Sequence, residues 1–217
     1  MNETLSFFWE FCRDPAGVAS VLPTTGWAAQ KITGTVPEEK WKQDLLISEY
    51  GPGSGVVTGK ILERMSPGSH LVVIEIREEF ARNLRQKFLH DKRVDVVCGS
   101  AEDADRILRP YGRADLNFSM IPLSNMQEEQ RRNILQVKME TLKPGGSSIV
   151  SLFRRSTEDY LREVFPTVHF RGRALLNILP LRIYEASTQP DTKVLTSATV
   201  RDRAGMQEAT ADLDRAT

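Results

Sequence analysis

The fold is decided by residues 45–55, which read Leu45-Leu46-Ile47-Ser48-Glu49-Tyr50-Gly51-Pro52-Gly53-Ser54-Gly55. This short apolar run ends in a glycine-rich turn, and the residues that follow, 56–65, have the apolar periodicity of a helix. The glycines therefore lie between a strand and a helix. Because glycine tolerates positive φ and close backbone approach, and because a helix start presents free N–H groups, this junction is predicted to be a binding turn.

The spacing of the glycines distinguishes between kinds of ligand. Gly51-x-Gly53-x-Gly55 has Val56 where the dinucleotide fingerprint has its third glycine, which argues against NAD. Downstream of the turn, a second buried-type strand, residues 71–76, carries Glu75 near its end. In folds of this kind an acid at that distance from the glycines accepts hydrogen bonds from both hydroxyls of a ribose.

Glu49, the glycine turn and Glu75 together resemble the S-adenosylmethionine-dependent methyltransferases with a Rossmann-like fold. A Gly/Pro loop and an acid at a strand end can each be purely structural, but their ordered combination favours the family. The resemblance implies that S-adenosyl-L-methionine is the cofactor. The residues it implies as cofactor ligands at this edge of the sheet are Glu49, Gly51, Gly53, Gly55, Glu75 and Ile76.

Length and composition exclude several other classes of protein. The 217 residues suit one domain, and 29 basic against 29 acidic residues give no net charge to attract nucleic acid. Cys12 and Cys98 lack metal-ligand spacing, and none of the three histidines is paired at ligand spacing, so no metal is expected. The longest uncharged stretch, residues 15–30, is too short and too broken to span a bilayer, and no basic leader is present. We expect a cytoplasmic protein.

Strand and helix patterns alternate from the glycine turn onward, which predicts a parallel sheet with its ligand at the carboxyl ends of the strands. Two final strand patterns, residues 167–176 and 181–186, have no helix between them and are expected to pair antiparallel. The predicted fold is therefore α/β, a seven-stranded, mostly parallel sheet with an antiparallel last strand and helices on both faces. Helices are predicted at residues 27–32, 56–65, 77–89, 104–108, 127–142 and 157–164, and the other strands at 45–50, 71–76, 94–98, 114–119 and 147–153.

Both ends of the chain differ from this catalytic segment, which spans residues 34–186. Residues 187–217 are polar and aperiodic, and we expect them to form a disordered tail. Within the N-terminal segment, residues 1–33, an amphipathic helix is predicted over 3–12 with Phe7, Phe8, Trp9 and Phe11 among its residues. It either packs over the open edge of the domain or lies on a membrane as a lid and peripheral contact, although its charges do not form a basic face.

Further stretches resemble the bacterial phospholipid N-methyltransferases, which methylate phosphatidylethanolamine. The resemblance covers roughly residues 5–186 and implies a phospholipid acceptor bound by Thr24, Thr25, Met120 and Pro122. Thr24 has a second interpretation as the N-cap of the next helix. The stretches that carry the resemblance are the aromatic Phe7 to Phe11, Pro23-Thr24-Thr25, Glu49 to Gly55, Ser119-Met120-Ile121-Pro122-Leu123 and Asn177-Ile178-Leu179-Pro180.

One departure from the family concerns the adenine. The family usually has Asp where Ser100 stands, so Glu102, Asp103 or the backbone must bind the adenine amino group instead. Because they follow the third strand, Ser100, Ala101 and Glu102 are predicted to line the adenine.

The second departure concerns the acceptor. The related rRNA adenine dimethyltransferases have Asn and an aromatic residue where Met120 and Leu123 stand, so no nucleic acid partner is expected. Methylation of a soluble small molecule or of rRNA remains the alternative activity, and a non-enzymatic module with this fold is a third hypothesis.

Methyl transfer from a sulfonium is an in-line displacement, so the protein mainly positions and desolvates the reactants. Two residues are candidates for a direct role. Tyr50 either favours the cationic centre through its ring or serves only in packing. Ser119, with the carbonyl of Met120 or Ile121, is predicted to accept a hydrogen bond from the acceptor amine and to line the cofactor site.

Overall fold

The computed structural model of this chain describes residues 24–153, 155–175 and 180–190. The predicted N-terminal helix, the Pro23 and Asn177 motif positions and the tail beyond residue 190 lie outside these ranges. Among the helices within them, none is long and apolar enough to cross a membrane.

A seven-stranded sheet forms the centre of the molecule, in the order β3-β2-β1-β4-β5-β7-β6. Every neighbouring pair from β3 to β5 is parallel, whereas β7 is antiparallel to both β5 and β6. The predicted α/β fold, including its antiparallel last strand, is thus confirmed. The strands are β1 (Leu46–Tyr50), β2 (His70–Glu75), β3 (Val94–Cys98), β4 (Ala114–Ser119), β5 (Leu142–Leu152), β6 (Thr167–Ala174) and β7 (Leu181–Ser187).

Helices cover both faces of the sheet because each strand alternates its side chains between two hydrophobic clusters. One cluster lies under α1, α2, α3 and α4, and the other under α5, α6 and α7. The helices are α1 (Gly26–Thr33), α2 (Glu38–Trp41), α3 (Val56–Arg64), α4 (Glu78–Lys87), α5 (Ala104–Leu108), α6 (Glu128–Glu140) and α7 (Glu158–Val164), with 3-10 turns at Ala101–Asp103, Leu123–Asn125 and Arg155–Thr157.

The structure extends two predicted boundaries. Strand β5 begins at Leu142, five positions before the predicted start, because Leu142 pairs with Ala114 ahead of a register shift. At the other end, β7 includes Ser187, and the Thr188 hydroxyl accepts a hydrogen bond from Gly145 N. Residues 187–189, the first of the predicted tail, therefore contact the end of the sheet.

Candidate active site

A cavity opens at the carboxyl ends of β1, β2, β3 and β4. The two segments that leave β1 and β2 form one wall, and the residues after β4 together with α6 form the other. Its lining residues are Gly51, Gly53, Ile74, Glu75, Ile76, Arg77, Phe80, Gly99, Ser100, Ala101, Met120, Ile121, Pro122, Met126, Gln130 and Ile134. The topology predicted a ligand site at this edge, and the cavity lies there.

The glycine turn has positive φ at all three of its glycines, with values of 66°, 56° and 74° at Gly51, Gly53 and Gly55. At Gly53 an added Cβ would meet nothing within 4 Å, so this backbone is open to the cavity. At Gly55 the Cβ would lie 2.5 Å from Leu84 Cδ2 of α4. Gly51 and Gly53 therefore line the cavity, whereas Gly55 allows α3 and α4 to pack closely and does not line it. Cofactor binding by the three glycines stays a prediction.

This difference predicts opposite effects of two alanine substitutions in neighbouring turns. Gly55→Ala should lower the free energy of unfolding by about 1–3 kcal/mol, since alanine is strained at positive φ and also displaces Leu84. Gly59→Ala, in the interior of α3 with nothing within 4 Å of the added Cβ, should raise it by about 0.5–1 kcal/mol. Urea denaturation of both variants tests this, and equal effects would contradict the packing described for Gly55.

The Glu75 carboxylate is held by the backbone around it. Its Oε1 accepts from Arg77 N at 3.0 Å and its Oε2 from Gly53 N at 3.3 Å, while the residue is only 4 % exposed. Each carboxylate oxygen can accept a second hydrogen bond. This arrangement fits the predicted ribose-binding role, because the acid is fixed beside the glycine turn and keeps acceptor capacity on the cavity side.

Glu49 lies under the glycine turn and is fully buried. Its Oε2 accepts from Thr58 Oγ1 at 2.6 Å, whereas Oε1 has no hydrogen-bond partner among the described residues. Burial raises the pKa of the Glu49 carboxyl to about 7, with the Thr58 hydrogen bond opposing the shift. The predicted cofactor-binding role stays a prediction for this residue, since Glu49 does not line the cavity.

The raised pKa of Glu49 has a consequence for stability. The unfolded carboxyl has a pKa near 4.5, so the folded state loses stability as pH rises from there to about 7. Glu49→Gln removes that loss and should therefore raise the free energy of unfolding by about 1–3 kcal/mol at pH 8, with little gain at pH 4.5. Denaturation at the two pH values measures it, with Glu79→Gln on the exposed face of α4 as control. A gain that does not depend on pH would contradict the shifted pKa.

The turn after β3 divides the residues that were predicted to line the adenine. Ser100 and Ala101 line the cavity. Glu102 does not, because its carboxylate turns to α6, where Oε2 accepts from Gln130 Nε2 at 3.1 Å and Oε1 from Asn133 Nδ2 at 3.3 Å. The prediction that the Glu102 side chain lines the adenine is therefore corrected. Gln130, held by its hydrogen bond to Glu102, lines the cavity together with Ser100 and Ala101.

Several lining residues were missed by sequence reasoning. Arg77 and Phe80 face the cavity together, with the Arg77 guanidinium 4.4 Å from the centre of the Phe80 ring. For Phe80 the apolar periodicity of α4 alone indicates a packing role. For Met126, Gln130 and Ile134 the sequence gives no local signal, because they enter the site only through the placement of α6 and the segment before it across the strand ends.

Tyr50, predicted as a catalytic candidate, lies in the core instead. Its side chain is fully buried, its hydroxyl lies 3.2 Å from Thr141 Oγ1, and its ring centre is 5.6 Å from Lys138 Nζ of α6. Burial raises the pKa of the Tyr50 hydroxyl. The alternation of the strand explains the correction, since Tyr50 adjoins Gly51 in the chain but points to the α6 face, and the packing interpretation fits its contacts.

Ser119, the other catalytic candidate, ends β4 next to the cavity but does not line it. The residue is fully buried, and its Oγ has no hydrogen-bond partner among the described residues. Its side chain points to the same face of the sheet as Tyr50, because the two residues pair in register. A hydrogen bond from Ser119 Oγ to an acceptor amine stays a prediction.

Two of the four predicted acceptor residues, Met120 and Pro122, line the cavity, together with Ile121 between them. Thr24 and Thr25 do not line it. The N-cap of α1 is Thr25 and not Thr24, because Thr25 Oγ1 accepts from Ala28 N at 3.2 Å. The acceptor wall that the described residues form is therefore apolar.

Comparison with known proteins identifies the class to which this arrangement belongs. The protein-family model described as a methyltransferase domain matches residues 47–146, from β1 to the start of β5. Magnesium protoporphyrin IX methyltransferase from Synechocystis, solved with bound S-adenosylmethionine, has a TM-score of 0.60 at 13% identity and covers 75% of this chain and 80% of its own. The N-methyltransferase NodS from Bradyrhizobium japonicum, solved with S-adenosyl-L-homocysteine, has a TM-score of 0.57 at 13% identity, with 75% and 88% covered.

Residues 47–146 thus form a methyltransferase domain on a Rossmann-like fold, with S-adenosylmethionine as its cofactor. A more specific similarity is to the ornithine lipid N-methyltransferase of Singulisphaera acidiphila, which is 29% identical over 149 residues, or 68% of this chain and 76% of that protein. Among the described residues, no group of His, Cys, Asp and Glu side chains is arranged to hold a metal ion.

Proposed function

We propose that this enzyme is a lipid N-methyltransferase that transfers methyl groups to the amine of phosphatidylethanolamine and of its partly methylated forms. The observation that carries the proposal is the apolar acceptor wall formed by Met120, Ile121, Pro122 and Met126. This wall has neither an amide to read a base edge nor an aromatic ring to stack on a flipped base. Similarity to a lipid N-methyltransferase supports the same acceptor class.

Cofactor and cavity fit each other. Glu75 offers a carboxylate fixed by two backbone N–H groups, and Gly53 leaves open backbone where a side chain would otherwise stand. The bound cofactor supplies an electrophilic sulfonium methyl group, which needs no nucleophilic side chain of the enzyme. In this proposal Glu75 holds the ribose, the glycine turn borders the amino-acid end, and Ser100, Ala101 and Gln130 border the adenine.

The remaining work of the protein is to orient the amine and to exclude water around it. Among the described residues that line the cavity, only Glu75 and Arg77 carry titratable side chains. Since Glu75 is committed to the ribose and Arg77 is a permanent cation, we infer that solvent at the mouth accepts the proton of the acceptor ammonium. The apolar wall then favours the uncharged amine that attacks.

A panel of acceptors tests the class of substrate. The enzyme is incubated with labelled S-adenosylmethionine and either vesicles of phosphatidylethanolamine, vesicles of ornithine lipid, soluble ethanolamine or ribosomal RNA. We expect label in the lipid extracts alone. Label in RNA or in the soluble amine, with none in lipid, would replace the proposal by the alternative methyltransferase activity.

We further propose that the enzyme acts at the cytoplasmic face of a membrane and contacts it peripherally through its aromatic N-terminal segment. Burying one large apolar side chain in the interface contributes roughly 1.5–3 kcal/mol, so two or three such residues give reversible binding. A chain beginning at Gly17 should keep its affinity for S-adenosylhomocysteine but lose vesicle binding in sedimentation by at least tenfold. Vesicle binding that survives in the shortened, folded protein would contradict this role.

A further inference from the structure

Two arginines lie opposite each other on the last two strands of the sheet. Arg173 near the end of β6 pairs in register with Arg182 near the start of β7. Directly opposite residues of an antiparallel pair point to the same face. Tyr184, two residues after Arg182, shares this face and belongs to the hydrophobic cluster under α6 and α7. The two arginines therefore lie on the side of the sheet that carries α6 and α7. Like charges in this position destabilise the pair, so a bound anion would stabilise it.

Aromatic rings hold one of these guanidinium groups in place. The Arg182 guanidinium lies 4.6 Å from the centre of the Phe170 ring and 5.7 Å from that of Tyr184. Its Nε donates to the Tyr184 hydroxyl at 2.7 Å. Phe170 is 46% exposed, so this corner of the sheet is open to solvent. The guanidinium is therefore preorganised at an accessible surface while its other N–H groups remain available.

The positive charge at this corner is only partly neutralised. The Tyr184 hydroxyl donates to Glu158, and the same carboxylate pairs with Arg162 at 2.7 Å. Glu158 is thus shared, and Arg155 lies near enough to help lower its pKa. Within the described ranges the Arg173 side chain makes neither an ion pair nor a hydrogen bond.

Sheet register relates this corner to the cavity. Strand β6 runs in the direction of β1 to β5, so Arg173 and Arg182 stand at the same edge as the cavity mouth. Tyr184 is level with Val150, and Val150 is level with Ser119. Arg182 itself pairs with Leu152 of β5, and the neighbouring strand β4 leads directly into the lining residues Met120 to Pro122. Arg182 is therefore two strands, about 10 Å at the usual strand spacing, from the strand that ends at the cavity.

From this arrangement we propose that Arg173 and Arg182 form an anion subsite for the acceptor lipid. They bind the phosphodiester that phosphatidylethanolamine carries beside its amine, and so direct the amine over the apolar wall to the cavity. A carboxylate at the same place in an amino lipid without phosphate has the same charge and fits the same guanidinium fork. This subsite rests on the proposed lipid substrate.

The test compares two acceptor lipids in mixed micelles. One is phosphatidylethanolamine, and the other is a diacyl amino lipid of equal chain length that lacks any anionic group. Arg173→Ala is the main variant, because Arg173 has no structural partner in the described residues. Arg171→Ala is the matched control, since Arg171 lies on the same strand but bonds to Glu185 on the opposite face. Calorimetry with S-adenosylhomocysteine establishes that each variant is folded and binds the cofactor.

For Arg173→Ala we expect the KM for phosphatidylethanolamine to rise about ten- to hundredfold, because the phosphodiester loses one charge-assisted hydrogen-bonding partner. The KM of Arg173→Ala for the phosphate-free lipid should stay within twofold of the wild-type value. The KM values of Arg171→Ala for both lipids should also stay within twofold of the wild type. Arg182→Lys keeps the positive charge but loses the forked guanidinium, so its KM for phosphatidylethanolamine should lie between those of the wild type and Arg173→Ala.

If the wild-type enzyme methylates lipid, two outcomes would contradict the anion subsite and leave the proposed function intact. One is an Arg173→Ala enzyme that equals the wild type on phosphatidylethanolamine, and the other is an equal loss on both lipids. A wild-type enzyme that methylates neither lipid but methylates a soluble amine or RNA would instead overturn the proposed function, and the subsite with it.

Discussion

Replacing Glu75 by alanine is expected to weaken the binding of S-adenosylmethionine at least a hundredfold while the protein stays folded. The carboxylate is predicted to accept hydrogen bonds from both ribose hydroxyls, and a hydrogen bond to a charged acceptor is worth about 1.5–3 kcal/mol. Two such bonds therefore correspond to a loss of about 10²- to 10⁴-fold in Kd. The substitution also leaves Gly53 N and Arg77 N without their acceptor, which loosens the glycine turn itself.

Isothermal titration calorimetry measures this loss directly. Glu79→Ala is the control, because Glu79 is an exposed acid on α4 that does not line the cavity. Glu75→Gln, which keeps one carbonyl acceptor, should give an intermediate Kd. A folded Glu75→Ala protein whose affinity remains within threefold of the wild type would show that the ribose lies elsewhere.

Replacing Lys138 by methionine is expected to stabilise the protein by about 2–4 kcal/mol at neutral pH. Lys138 lies between α6 and the sheet with its side chain fully buried, and its Nζ has no hydrogen-bond partner among the described residues. Burial lowers the pKa of its amine to about 7. Methionine has a similar length and removes the cost of burying a group that is ionised in the unfolded chain.

The gain should depend on pH in one direction. In the unfolded chain the amine has a pKa near 10.5, and in the folded protein near 7. Below pH 7 the cost is complete, and it disappears as pH rises from 7 to about 10.5, because the unfolded amine then loses its proton as well. Denaturation of Lys138→Met and wild type across this range tests it, with Lys42→Met as the control because the Lys42 side chain is 68% exposed. A constant difference between the two proteins would contradict a neutral buried amine.

The architecture was predictable because buried parallel strands are nearly continuous apolar runs. Residues 71–76 form such a run, and β2 occupies His70–Glu75 within one residue of it. The alternation of helices with strands then predicted the sheet, its parallel order and the edge where the ligand binds. Gly51, Gly53 and Glu75 could be assigned to that edge because each directly follows or ends a strand.

Orientation around a strand and contacts between distant segments were harder to predict. Tyr50 precedes the glycine turn, but the pleat of β1 turns its ring into the core beside Lys138. Glu102 was placed against the adenine by its position after β3, yet amide donors from α6 draw its carboxylate away. The local sequence around Glu102 contains no signal for Gln130, which lies 28 positions further along the chain.

Methylation of phosphatidylethanolamine can be measured directly in the lipid products. The wild-type enzyme and Glu75→Ala are incubated with vesicles of phosphatidylethanolamine and S-adenosylmethionine, and the extracted lipids are examined by mass spectrometry. We expect mono-, di- and trimethylated headgroup amines with the wild type and their loss with Glu75→Ala. Unmodified lipid in the presence of a wild-type enzyme that binds S-adenosylmethionine would contradict the proposed function.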